Sequence, residues 1–167
     1  MSTNNELGFK QISSDNWQTP DPIWEVFGCP DPNHLQAWVD EFLAVQLKAD
    51  VPPDIRALFK VAQSAFVYGV MFYPLVTIGA EQICRVSEAA VSLKCNLLHA
   101  PGRKSRFADK IKWLISMNVI KSNNEFRWDA LRQSRNDGSH PKFQTILTPE
   151  MCLSIMETAA ELINDLF

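Results

Sequence analysis

Apolar residues along most of this chain recur at spacings of three and four, the pattern of helices that each bury one face. Leu35, Trp38, Val39, Phe42 and Leu43 predict a first helix, capped by Asn33 and running to about Ala49. Val51-Pro-Pro-Asp54 breaks it and starts a second, with Ile55, Leu58, Phe59, Ala62 and Phe66 inward. From Pro74 a long helix is predicted to about Leu98, with Leu75, Ile78, Ile83, Val86, Ala90 and Leu93 in the core. Ala100-Pro-Gly102 ends it. Ser105 to Met117 carries Phe107, Ile111 and Leu114 at helical spacing. A shorter helix follows from about Arg127 to Asp137, with Gly138 suited to the residue beyond its end. The last has a clear start: Thr148 as N-cap, Pro149 behind it, Glu150 in the first turn. Cys152, Ile155, Met156, Ala159, Leu162, Ile163 and Leu166 form its stripe. Nothing alternates with a period of two, so the expected class is all-α, a bundle of about five to six helices.

Residues 1–32 break this rhythm. Thr19-Pro-Asp-Pro22 and Cys29-Pro-Asp-Pro32 are turn chemistry, yet Trp17, Trp24 and Phe27 are interspersed with them. The expectation is an irregular strap packed on a single helical domain of residues 33–167, although the same aromatics could serve a partner. The full length of 167 residues suits one core. A net charge of −3 gives no global attraction to polyanions, so any such site must be a local patch. Cys29, Cys84, Cys95 and Cys152 form no Cys-x-x-Cys pair and have no histidine at zinc spacing. With a polar start unlike a secretory signal, the reading is a cytoplasmic protein with reduced thiols, no metal and no cofactor. The uncharged run between Lys60 and Glu81 is long enough to span a bilayer. Its Gln63, Ser64, Tyr68, Tyr73, Pro74 and Thr77 favour two buried helix segments joined at Pro74 and no membrane span.

One segment stands out chemically: Arg135-Asn-Asp-Gly-Ser-His140. Trp128, Leu131 and Arg135 share a helix face, so the arginine continues an apolar stripe. A guanidinium in that position needs an anionic partner or ligand, because it cannot lose its proton. His140 adds a group that exchanges protons near neutral pH. Glu81, Arg85 and Glu88 form a polar ladder on the long helix; either it is an ion-pair set at the surface or a glutamate reaches across to Arg135. Arg103, Lys104, Arg106, Lys110 and Lys112 gather positive charge with Asp109 as the only acid among them, which suits a phosphate backbone or is simply a solvated face. His34 and His99 lie at helix ends without a companion motif. No phosphate loop, dinucleotide turn, His-Glu-x-x-His pair or nucleophile elbow is present.

Arg135, four intervening residues and His140 resemble the Arg-x(4–6)-His signature of HEPN domains, with Asn136 in a common form of it. The chain also resembles a HEPN-like group of uncharacterised bacterial domains, through Arg85-Val-Ser-Glu88, Lys110-Ile-Lys-Trp-Leu114 and His140-Pro141. The likeness covers Ala65 to Phe167. It implies an α-helical bundle with the motif late in the chain and one helix after it. It further implies metal-independent RNA cleavage by Arg135 and His140, with Asn136, Ser139, Glu81, Arg85 and Glu88 accessory and Arg103, Lys104, Arg106 and Lys110 on RNA. Because one motif supplies one histidine, the resemblance implies a homodimer with a composite site. An antitoxin or defence-system protein is an implied partner. Two other readings stay open: a non-catalytic module binding nucleotide, RNA or a protein, and a structural domain in which Arg135 and Glu88 form a buried pair.

Overall fold

The computed structural model describes residues 9–28, 31–101, 106–138 and 147–167, and only the backbone of Pro32 and of 134–138. Among them are seven α-helices and no strand. These are α1 (Ile23–Val26), α2 (Pro32–Ala44), α3 (Pro53–Tyr68), α4 (Pro74–Leu97), α5 (Phe107–Ser116), α6 (Glu125–Gly138) and α7 (Pro149–Asn164). A 3-10 turn, Ser122–Asn124, leads into α6. The all-α class is as read from the sequence; α1 is one helical turn inside the segment expected to be irregular.

The central element is α4, which touches α3, α5, α6 and α7. It forms a hairpin with α3 through the short turn after Tyr68. The hairpin is tight because two glycines line it. A Cβ on Gly69 would collide with Val76 Cγ2, and one on Gly79 would lie 3.1 Å from the Phe66 ring. This close approach sets the rotation of α4. Val76, Gly79, Ala80, Ile83, Cys84, Val86, Ser87, Ala90, Val91 and Cys95 face inward. Ile78, expected in the core, is exposed instead, and Leu75 and Leu93 are half-buried. The smallest residues, not the largest, choose the face when two backbones approach closely.

Two helix ends differ from expectation for a similar reason. Asp31, not Asn33, caps α2: its carboxylate accepts from Asn33 N at 2.8 Å and His34 N at 3.2 Å, while Pro32 has no N–H to satisfy. The same helix stops at Ala44 rather than near Ala49. Gln63 of α3 is buried and donates to the Phe42 and Val45 carbonyls at 2.8 and 2.9 Å. Asn164 of α7 accepts from Lys48 N at 2.8 Å and donates to the Gln46 carbonyl. These side chains hold residues 45–48 in place outside the helix. Leu43 and Leu58 are correspondingly left exposed.

The N-terminal segment docks where α3 turns into α4. Asp21 is buried, and its carboxylate accepts from Tyr73 N at 2.9 Å and Ile23 N at 3.2 Å, with Lys10 N at 3.4 Å. The Lys10 ammonium donates to the Thr19 and Asn16 carbonyls at 2.6 and 3.0 Å, closing the loop between them. Trp24 is buried edge-on against Tyr73, and Phe9 and Phe27 stack on the same ring. Trp17, by contrast, is exposed. At the other end α7 starts as expected, with the Thr148 hydroxyl accepting from Met151 N at 3.3 Å. Among the described residues no helix is long and apolar enough to cross a membrane. The uncharged run is divided between α3 and α4.

Candidate functional site

Helix α6 carries the first part of the motif, Arg135 to Gly138, and its packing fixes their register. Trp128 is 1% exposed and Leu131 3%; both belong to the core, and the Trp128 ring meets Phe107 of α5 edge-on at 6.4 Å. Arg135 lies one turn beyond Leu131 and Asn136 next to it, both within the last turns of the helix. The helix extends through Gly138, which is therefore its final residue and not the one beyond. Ser139 and His140 lie outside the described residues, as do the side chains of Arg135 and Asn136, and Arg103 and Lys104.

The adjacent faces can be described in detail. Asp129 accepts from Arg132 Nε and from Gln133 Nε2, both at 2.7 Å. The Arg132 hydrogen bond first, and the Gln133 bond second, hold its carboxyl below the usual range, with the charge of Lys112 adding to the effect. On α4, Arg85 is exposed and Glu81 and Glu88 are half-buried. Arg85 makes no ion pair with either glutamate among the described residues, where the ion pairs are His34–Asp31, Arg127–Glu161 and Arg132–Asp129. The simple intrahelical ladder is thus not formed.

Lys110 has a different setting from the one its charge suggested. It is half-buried, and its ammonium donates to Ser92 Oγ at 2.8 Å. Ser92 in turn donates to the Glu88 carbonyl at 2.7 Å. The lysine therefore ties α5 to α4 one turn beyond Glu88. Lys112 on α5 and Arg106, the residue just before the helix, are exposed cations. Sequence reasoning missed Ser92; its position four residues after Glu88, where a serine bonds back to the helix carbonyl, was the available signal.

The other candidate chemistry is structural. His34 lies with Nδ1 2.8 Å from Asp31 Oδ2 on an exposed helix start, and His99 is exposed after α4 with a φ of 53°. Cys84, Cys95 and Cys152 are buried cysteines outside any disulfide. Burial, with the Glu150 charge second, pushes the Cys152 thiol up to about 12, so it is no nucleophile at neutral pH. No group of three or more His, Cys, Asp or Glu residues gathers as a metal cage among the described residues. An apolar groove of about 300 Å³ runs between α6 and α7, lined by Phe126, Ala130, Ile155 and Thr158 among others, with Arg127 beside it bonded to Glu161.

Comparison of the chain with protein-family models, curated proteins and solved structures gives no match.

Proposed function

We propose that the chain is a HEPN-like domain that cuts RNA without a metal ion, using Arg135 and His140. The observation that supports this reading best is the register of α6. Trp128 and Leu131 are buried, and Arg135 is the next position of the same stripe, at the end of the penultimate helix and five residues before His140. A cation that prolongs a buried face is costly unless an anion joins it, and a phosphate supplies one.

The reaction needs two proton transfers. A base removes the proton of the ribose 2′-hydroxyl, and the oxygen attacks the adjacent phosphorus. The bond from phosphorus to the 5′-oxygen breaks, and an acid protonates that leaving oxygen. The 2′-oxygen is then held in a cyclic phosphate. Arg135 stabilises the charge on the non-bridging oxygens; His140 supplies one proton-transfer group; the His140 of a second copy supplies the other. Asn136 and Ser139 orient the phosphate, and Arg106 and Lys112 carry the strand. Lys110, engaged with Ser92, acts through the seating of α5.

Cleavage of a mixed RNA pool by wild type, Arg135→Ala and His140→Ala, each with and without chelator, tests the reading. Wild type should cut equally in both conditions. Each variant should lose roughly a hundredfold or more in rate. Wild type that binds RNA or nucleotide but leaves it intact overturns the nuclease in favour of a binding module.

A further inference from the structure

A second concavity lies at the opposite end of α6 from the motif, where that helix begins beside the last turn of α7. It is a cleft of about 90 Å³, too small for a nucleotide but able to hold a few water-sized groups. Buried Ile120, Leu162 and Leu166 supply its apolar lining. Trp128 lines it as well and is 1% exposed. The indole N–H of a buried tryptophan ordinarily finds an acceptor, but that of Trp128 has none among the described residues. No buried side-chain nitrogen or oxygen among those residues is sealed off without a partner, so this N–H opens onto the cleft. It calls for an acceptor from outside the chain.

The remaining lining says what kind of molecule carries that acceptor. On one side are Lys121 and Asn124, just ahead of α6 and so at the positive end of its dipole. Glu125, the acid of that first turn, is not part of the lining. On the other side is Asp165, at the negative, C-terminal end of α7. Among the described residues neither Lys121 nor Asp165 makes an ion pair, with the other or elsewhere. The cleft thus has one cationic and one anionic wall over an apolar lining. A lone anion would suit Lys121 and Trp128 but approach Asp165, and a lone cation would leave the Trp128 donor unmet. We propose that the cleft binds a small free α-amino acid with an apolar side chain. Its carboxylate accepts from the Trp128 N–H and pairs with Lys121, its ammonium faces Asp165, and its side chain rests on Ile120, Leu162 and Leu166. An α-amino acid holds its two charges on either side of a single carbon, which suits a cleft this narrow. The site lies two turns of α6 from Arg135, and the argument for it does not depend on the reading of Arg135–His140.

Titration of the full chain with L-alanine and L-valine, followed by calorimetry and by the nuclear magnetic resonance signal of the Trp128 indole N–H, provides the test. That signal should move and saturate, with a Kd of roughly 1 mM or tighter for at least one of the two. Acetate and methylamine, which carry one charge each, should bind at least about tenfold more weakly. Lys121→Gln and Asp165→Asn, both at exposed positions, should each weaken amino-acid binding roughly tenfold or more while leaving the circular dichroism unchanged. Lys60→Gln, on the distant α3, should leave binding as it is. An indole signal that stays still at about ten times the expected Kd overturns the proposal. So does acetate binding as tightly as alanine with Asp165→Asn indifferent, which would make the cleft a site for simple anions.

Discussion

Replacing Asp21 with alanine removes the one buried carboxylate that joins the N-terminal segment to the α3–α4 turn. Its oxygens receive Tyr73 N at 2.9 Å and Ile23 N at 3.2 Å, with Lys10 N weaker at 3.4 Å. A hydrogen bond to a charged group contributes about 1.5 to 3 kcal/mol, so the two shorter ones together carry about 3 to 6 kcal/mol. Alanine also leaves the Tyr73 N–H buried without its acceptor. Asp21→Asn keeps an oxygen for one donor and turns an NH2 toward the other, so its loss should be smaller, about 1 to 3 kcal/mol. Urea unfolding followed by tryptophan fluorescence and far-ultraviolet dichroism reads both. Trp24 reports on the docked segment and the dichroism on the helices. If the segment detaches first in the alanine variant, the fluorescence change precedes the dichroism change. A loss below about 1 kcal/mol for Asp21→Ala would refute the reasoning, because it would mean that water replaces these bonds freely.

Two further expectations concern packing and ionisation. Gly69→Ala should cost about 1 to 3 kcal/mol, seen as a lower thermal midpoint, since its Cβ meets Val76 and the Phe66 carbonyl oxygen at 2.9 Å; an unchanged midpoint would show that the hairpin can open without strain. Cys152 keeps its proton in the fold to about 12 but releases it near 9.0 when unfolded. Its contribution is complete below about pH 9 and is lost as pH rises toward 12, at up to about 1.4 kcal/mol per unit. Denaturant midpoints at pH 8 and pH 10 should fall less in Cys152→Ala than in wild type; parallel falls would assign the loss elsewhere. Tyr73, raised chiefly by burial, adds a loss of the same sign only above about pH 10.

Local signals were legible in the sequence where one element decides its own structure. Thr148, Pro149 and Glu150 start α7 as their chemistry dictates, and Phe107, Ile111 and Leu114 face the core of α5. The buried run-up to Arg135 was equally readable from Trp128 and Leu131. What failed depended on neighbours far along the chain. Ile78 looked like core because spacing cannot say that Gly79 will lie against Phe66. The end of α2 is set by Gln63 and Asn164, which no local pattern announces. Asp21 sat in a proline-rich stretch that resembled plain turns, although its partner Tyr73 makes it the anchor of that stretch. Lys110 counted as a free cation until Ser92 was seen opposite it. His140 and Ser139, central to the candidate chemistry, lie outside the described residues.

The junction at Tyr73 also bears on the order in which the chain assembles. Its amide binds Asp21 and its hydroxyl donates to the Leu147 carbonyl, so it joins residues 52 positions behind and 74 ahead. Neither partner can dock until the turn between α3 and α4 exists. During synthesis Trp24 and Phe27 leave the ribosome well before that turn and stay uncovered until it forms. Closing such long loops comes late in folding. The stability lost in Asp21→Ala should consequently appear as faster unfolding, with the folding rate nearly unchanged. The α3–α4 hairpin is thus the template on which both ends of the chain are gathered.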